Sequence, residues 1–275
     1  MILTIVNLKP HKIMELDNIN GKSTVQRRAR ILDIINSKGQ VNIYDLSKLF
    51  SVSDVTIRKD LDNLEKKNML IRARGGALKA MRVGIDYEFS DKKKKFFKEK
   101  QLIGKLAAGL IEDNDTILLD SGTTILEVAR NLTMFKDLTV ITNAINIAAL
   151  LGEYDNLRIL VPGGYLRKKS FSLIGAQSDE SFRKYYCDKL FLAVDGFDID
   201  YGLSTPNPEE AHLNRTMIKM SKQLIVVTDS SKFQRKSLAF ICPLESVDVV
   251  VTDQYIPEDI KRKLENMNIK VLIAS

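Results

Sequence analysis

VSDVTIRKDLDNLEKKNMLIRARGGA, Val52 to Ala77, is the stretch that settles how the N-terminal part of this 275-residue chain reads. Ser53 can cap a helix by offering its hydroxyl to a backbone N–H one turn on. Ile57, Leu61 and Leu64 then recur at i, i+4 and i+7 on one inward face. Asp54, Thr56, Arg58, Lys59 and Asn63 are left on the outer face. Met69 to Ile71 reads as a short strand, Gly75-Gly76 as a tight turn and Ala77 onward as a returning strand. Upstream, Ile31, Ile34 and Ile35 predict a helix from Val25 to Ser37 stopped by Gly39. Leu46, Leu49 and Phe50 predict a second, short helix ending at Ser51-Val52-Ser53. Three short helices and a hairpin describe a winged helix-turn-helix over residues 23–80.

Charge follows the same division. The formal net charge is +7, and Ser23 to Ala80 alone holds 12 Lys and Arg against 6 Asp and Glu, whereas Met81 to Ser275 holds 27 of each. A local excess of cations predicts a polyanionic partner for that segment, because Lys and Arg replace the counterions condensed on a phosphate backbone. Ser53, Thr56, Arg58 and Lys59 are the candidates to meet double-stranded DNA from the third helix, with short hydroxyls suited to phosphate oxygens and cations suited to guanine edges or phosphates. Arg72 and Arg74 are the candidates on the wing.

Downstream, residues 81–100 turn polar and are expected to form a linker, with the run Lys92 to Lys95 as a solvated helix face. From residue 101 the chain alternates helical segments with short β-branched runs at Thr116–Asp120, Thr139–Thr142, Arg158–Val161, Lys189–Val194, Gln223–Thr228, Asp248–Val251 and Lys270–Ile273. Such alternation predicts a mostly parallel α/β sheet. Ligands of open α/β sheets bind beyond the carboxyl ends of the strands. Four of these ends carry polar groups: Asp120-Ser121-Gly122-Thr123-Thr124, Thr142-Asn143, Asp195-Gly196 and Asp229-Ser230-Ser231-Lys232. Each also has a purely structural reading: Thr124 with Glu127 as a capping box, Asn143 as a helix cap, Asp229 as a turn residue.

The stretch Val52–Ala77 closely resembles the DNA-binding signature of the DeoR family. It departs from the family pattern at Asn68, where glycine is usual, and at Arg74, where a histidine commonly precedes the Gly-Gly pair. The C-terminal part resembles the sensor domain of the same family through DSGTT, VITNAINIA, VPGG, LIGAQ, DKLFLAVDGFD, GLST and VVTDSSKF, in that order. The resemblance implies an α/β chain: a winged helix-turn-helix followed by a Rossmann-like domain of the ribose-phosphate isomerase and coenzyme A transferase type over 101–275. It further implies a regulator that binds operator DNA and represses sugar-catabolism genes until a phosphorylated sugar is bound. By the same resemblance Asp120, Ser121, Gly122, Thr123 and Thr124 would hold the effector phosphate, with Asn143, Asp195 and Lys232 around the sugar. Homodimers or homotetramers are implied as well.

An enzymatic role in the manner of the isomerases would need a base. The lysine- and glycine-rich loop preceding their carboxylate is replaced here by DGFDIDYGLSTPNPEEA. Glu209 and Glu210, following Pro208, read instead as the opening of a helix, and His212 as a surface residue. No catalytic residue, metal site or cofactor is expected. Cys187 and Cys242 lack metal-like spacing and are expected to be buried thiols of a cytoplasmic protein. No apolar run approaches the roughly 20 residues that span a bilayer, so no membrane partner is expected. Residues 1–22 are expected to be a flexible extension, with Met14 as an alternative start.

Overall fold

The computed structural model describes residues 24–66, 70–73, 75–79 and 86–275. The chain divides into two compact units, Met1–Arg82 and Val83–Ser275. The expected N-terminal extension, Ser23, Asn68 and the wing residue Arg74 lie outside the described residues.

In the first unit, α1 (Thr24–Lys38), α2 (Ile43–Phe50) and α3 (Asp54–Lys66) pack with a small antiparallel sheet of β1 (Gln40–Asn42), β2 (Leu70–Ala73) and β3 (Gly76–Lys79) in the order β1-β3-β2. Of the predicted apolar positions, Ile31, Ile35, Leu46, Ile57, Leu61 and Leu64 make its core with Ile43, Leu70 and Ala77, Ile34 and Phe50 pack against it half-buried, and Leu49 is exposed. β1 escaped sequence reading because three residues carry no period. The wing needs it, since Val41 pairs with Ala77 in the hairpin's returning strand. Gly76 is required at that crossing, where a Cβ would stand 2.0 Å from the Val41 carbonyl oxygen. Buried Asp60 ties α3 to α1 by accepting from Arg27 Nε at 2.6 Å and Arg28 Nε at 2.7 Å.

The second unit is built on seven parallel strands: β4 (Thr116–Leu119), β5 (Leu138–Thr142), β6 (Leu157–Leu160), β9 (Cys187–Leu192), β12 (Ser221–Val227), β14 (Val249–Asp253) and β15 (Lys270–Ala274). Their order is β15-β14-β12-β9-β4-β5-β6. All seven coincide with the runs picked out in the sequence. Around them stand α4 (Phe89–Lys94), α5 (Phe97–Ala108), α6 (Thr123–Ala129), α7 (Ile145–Leu151), α8 (Ala176–Phe182), α9 (Pro208–Lys219) and α10 (Glu258–Asn266). Both sheet faces are covered: Leu118 of β4 joins one core with Leu190 and Val226, while Ile117 and Leu119 join the other with Phe191 and Ile225. Double coverage explains why these strands read as unbroken apolar runs. Two antiparallel additions were not foreseen: the hairpin β7 (Tyr165–Arg167) with β8 (Ser172–Ile174), and a sheet of β10 (Gly196–Asp198), β11 (Gly202–Thr205) and β13 (Ala239–Cys242).

The expectation of a linker over 81–100 is corrected for residues 86–100, while 81–85 lie outside the described residues. From residue 86 the chain belongs to the second unit and carries α4 and the start of α5. Phe89 is buried edge-on against Phe171, with ring centroids 5.2 Å apart, and Lys100 is buried, so these residues are anchored.

Candidate functional site

In the first unit the third helix exposes Asp54, Arg58 and Lys59 as expected, while Thr56 and Asn63 are half-buried. Ser53 sits just before α3, and its Oγ accepts from the Thr56 backbone N–H at 3.3 Å and lies 3.0 Å from Thr56 Oγ1. Ser51, in the left-handed region at φ 50°, makes the turn between α2 and α3. Arg58 and Lys59 are exposed, and neither forms an ion pair or side-chain hydrogen bond with another described residue. Their charge is uncommitted. Arg72 differs: its Nε lies 3.0 Å from Asp62 Oδ1 and its Nη1 donates to the Gly76 carbonyl at 2.7 Å. That guanidinium braces the wing against α3.

In the second unit, strand order places the polar loops together. β12, β9, β4 and β5 are consecutive in the sheet. The loops following them carry Asp229–Lys232, Asp195, Asp120–Thr124 and Asn143, and therefore line one edge. The chain leaves β4 toward β5 on one side and later returns as β9 on the other, which makes this the switch point where a crevice opens. Gly122 is needed there: at φ +132° any Cβ would be strained and would meet the Ala193 Cβ at 3.2 Å. Ser121, Thr123 and Thr124 are all nearly buried in this turn.

The charged groups fall into two neighbouring sets. Around Asp195, Lys92 Nζ stands 2.9 Å from Oδ2 and Lys232 Nζ 3.2 Å from Oδ1. Burial works to raise the Asp195 pKa, but the Lys232 and Lys92 ammoniums outweigh it and hold the carboxyl well below the usual range. Lys100 is buried and donates to the backbone carbonyls of Lys92 at 2.6 Å and Lys95 at 2.7 Å, tying down the end of α4. Burial pulls its pKa down to about 8, countered by the nearby Asp229. Around Asp120, burial and then the Glu210 carboxylate push the pKa up to about 8, despite hydrogen bonds from the Ser121 and Ala193 backbone and from Asn214. Asp120 therefore keeps its proton at neutral pH. Glu210 is itself gripped: its Oε1 accepts from Arg167 Nη1 at 3.1 Å, Ser170 Oγ at 2.6 Å and Ser172 Oγ at 3.1 Å. Arg167 also pairs with Asp86. Asn143 is buried and donates from Nδ2 to the Leu173 carbonyl at 3.3 Å, while its Oδ1 is buried with no partner among the described residues.

The structure thus brings Asp120–Thr124, Asn143, Asp195 and Lys232 to one sheet edge, and it adds Lys92, Lys100, Glu210 and Arg167, which the sequence reading did not place there. Lys92 was read as solvated, whereas it turns inward while Lys93, Lys94 and Lys95 are exposed. The structural readings of single residues hold in part. Asp229 Oδ1 does accept from the Ser231 backbone N–H at 3.1 Å, but no side chain caps α6, and Glu127 lies 3.4 Å from Arg130 instead. His212 is a surface residue, 3.3 Å from Asp179.

Residues 27–82 match the DeoR-like helix-turn-helix domain and residues 95–254 the DeoR C-terminal sensor domain. The chain belongs to the DeoR family. It is 39% identical over 253 residues to a protein of Escherichia coli O157:H7 named as an aga operon transcriptional repressor, covering 91% of this chain and 94% of that one. It is 32% identical to the HTH-type transcriptional repressor GlcR of Bacillus subtilis, covering 90% and 96%. Among solved structures, ribose 5-phosphate isomerase A of Methanocaldococcus jannaschii aligns with 50% of this chain and 55% of that one at 16% identity and a TM-score of 0.38, too little to bear on function. This DeoR-family chain is a transcriptional regulator with a helix-turn-helix and a sensor domain. No helix among the described residues is long and apolar enough to cross a membrane.

Proposed function

We propose that this regulator is a repressor of sugar-catabolism genes that binds operator DNA through α3 and the wing and is released by a phosphorylated sugar held at the β4–β9 edge of the second unit. The observation that carries the reading is the pairing, in one chain, of uncommitted cations on a recognition helix with a cation-lined crevice at a sheet switch point. On α3, Arg58 and Lys59 are the groups left to read bases or phosphates, with Ser53 and Thr56 near the backbone and Arg74 on the wing; Arg72 supports the wing's shape and adds charge. In the crevice, the Asp120–Thr124 turn and Lys232 receive the phosphate. The free Asn143 Oδ1 accepts from a sugar hydroxyl, since a buried acceptor without a partner is costly unless a ligand supplies one.

The functional division is residues 23–80 for DNA and the second unit, with Lys92 and Lys100 included, for the effector. A non-catalytic role suits the carboxyl groups. Protonated Asp120 is no base at neutral pH, and Glu210 has its Oε1 committed to three donors. Homodimers or homotetramers suit paired half-sites, because one small head makes few base contacts. Buried thiols outside any disulfide suit a reducing cytoplasm. The names of the relatives as repressors support the sign of regulation.

The test is fluorescence anisotropy of the full chain on DNA upstream of its own gene, at several salt concentrations, with and without a panel of sugar phosphates. Salt-dependent, sequence-preferring binding weakened by one sugar phosphate is expected. Absence of DNA binding alongside turnover of a sugar phosphate would overturn the reading.

A further inference from the structure

The cation cluster at the β9–β12 edge holds more positive charge than its carboxylates cancel. Lys92, Lys100, Lys232 and Arg235 lie around Asp195 and Asp229, as their mutual electrostatic influence records. Glu127 also acts on Lys100, and the excess that geometry shows is at Asp195, where two ammoniums, Lys92 and Lys232, meet one carboxylate. A phosphate monoester, which carries about −1.5 to −2 near neutral pH, can hold two ammoniums. Lys100 is spent on the carbonyls of α4, and the guanidinium of Arg235 has no ion pair with a described residue. The two flexible ammoniums, Lys92 and Lys232, each take a different oxygen of Asp195. Asp195 thus occupies the donors that an incoming phosphate needs.

Resting on the sensor reading above, we propose that Lys92 is a phosphate ligand and that Asp195 is a built-in competitor for it: Lys92 and Lys232 exchange Asp195 for the doubly charged phosphate of the effector. The exchange sets both affinity and selectivity. A singly charged or neutral sugar cannot repay the loss of Asp195, whereas a dianion can hold two ammoniums at once. Lys92 reaches the site because Lys100 fixes the end of α4, while Lys93 and Lys94, on the same helix, face solvent.

The test is isothermal titration of the full chain with inorganic phosphate and with glucose, galactose and fructose 6-phosphates. Lys92→Gln should weaken phosphate binding by roughly 10- to 100-fold, the worth of one hydrogen bond to a charged group. Asp195→Asn should tighten binding of inorganic phosphate, an effect that misfolding cannot imitate. Lys94→Ala should leave it unchanged. If the wild type binds a probe and Lys92→Gln binds it equally well, or Asp195→Asn weakens inorganic phosphate, the exchange is refuted and the sensor reading stands. If the wild type binds none of the four, the sensor reading itself fails.

Discussion

Asp120→Asn would remove one titrating group from the ligand edge while keeping its shape. Asp120 is 6% exposed, and burial followed by the facing Glu210 lifts its pKa from 3.8 to about 8. A folded-state value above the unfolded one means that, between the two, the folded protein holds a proton which the unfolded chain has released. The contribution to stability is complete below the unfolded value, drains as pH rises, and is gone once pH passes the folded value. Inside that window one proton gives a slope of about 1.4 kcal/mol per pH unit.

The other shifted groups act elsewhere or cancel in the comparison. Lys100, lowered from 10.5 to about 8, adds stability with rising pH only above its folded value. Asp195 and Asp179 are depressed and act below the ordinary carboxylate range, while Cys187 and Cys242, pushed up to about 11 and 12, act in alkali. Glu127, raised by burial, is present in both proteins. Between roughly pH 5.5 and 7.5 the wild type should therefore lose about 2.7 kcal/mol more stability than the Asn variant. Urea unfolding followed by far-ultraviolet circular dichroism at half-unit pH steps measures this. Parallel pH profiles for the two proteins would show that Asp120 is ionised throughout, and the argument from its burial would collapse.

Three further predictions follow from the same geometry. Glu210→Gln removes the charge facing Asp120, so the carboxyl carbon of Asp120 should titrate at lower pH by nuclear magnetic resonance; an unmoved midpoint would leave burial as the whole cause. Arg58→Ala should weaken operator binding by roughly 1–3 kcal/mol in anisotropy titrations, and unchanged affinity would take Arg58 out of the interface. Asp60→Ala strands Arg27, which is 6% exposed, and should cost the first unit about 3–5 kcal/mol, seen as earlier loss of its helical signal on heating; an unshifted transition would mean the clamp is dispensable.

The DNA-reading unit was legible almost residue by residue because its signals are local: a cap at Ser53, apolar spacing through Ile57, Leu61 and Leu64, and glycines at the wing turn. The seven central strands were legible because burial on both faces leaves β-branched runs. β7, β8, β10, β11 and β13 were not, since three or four residues are too few to show a period. Lys92 was hidden for another reason. In a run of four lysines nothing local distinguishes the one that turns inward, and its direction is set by Lys100 and by Asp195, a residue on a distant loop. Arg167, Ser170 and Ser172 were missed because their shared partner, Glu210, lies about 40 residues away on α9.

Asp120 and Asp195 show what a one-dimensional reading leaves open. Both follow a strand of the same parallel sheet and both were assigned to the same ligand, though Asp120 is buried and Asp195 half-buried. Their environments drive them to opposite states. Asp120 faces a second carboxylate and stays protonated, so it can donate to a ligand oxygen. Asp195 faces two ammoniums and stays charged, so it competes with a ligand anion. One edge thereby offers a neutral donor and an anion-exchanging pair of ammoniums, two different ways to meet the oxygens of one phosphorylated ligand. It is long-range strand order, bringing Lys92, Lys232 and Glu210 beside two similar aspartates, that creates this division.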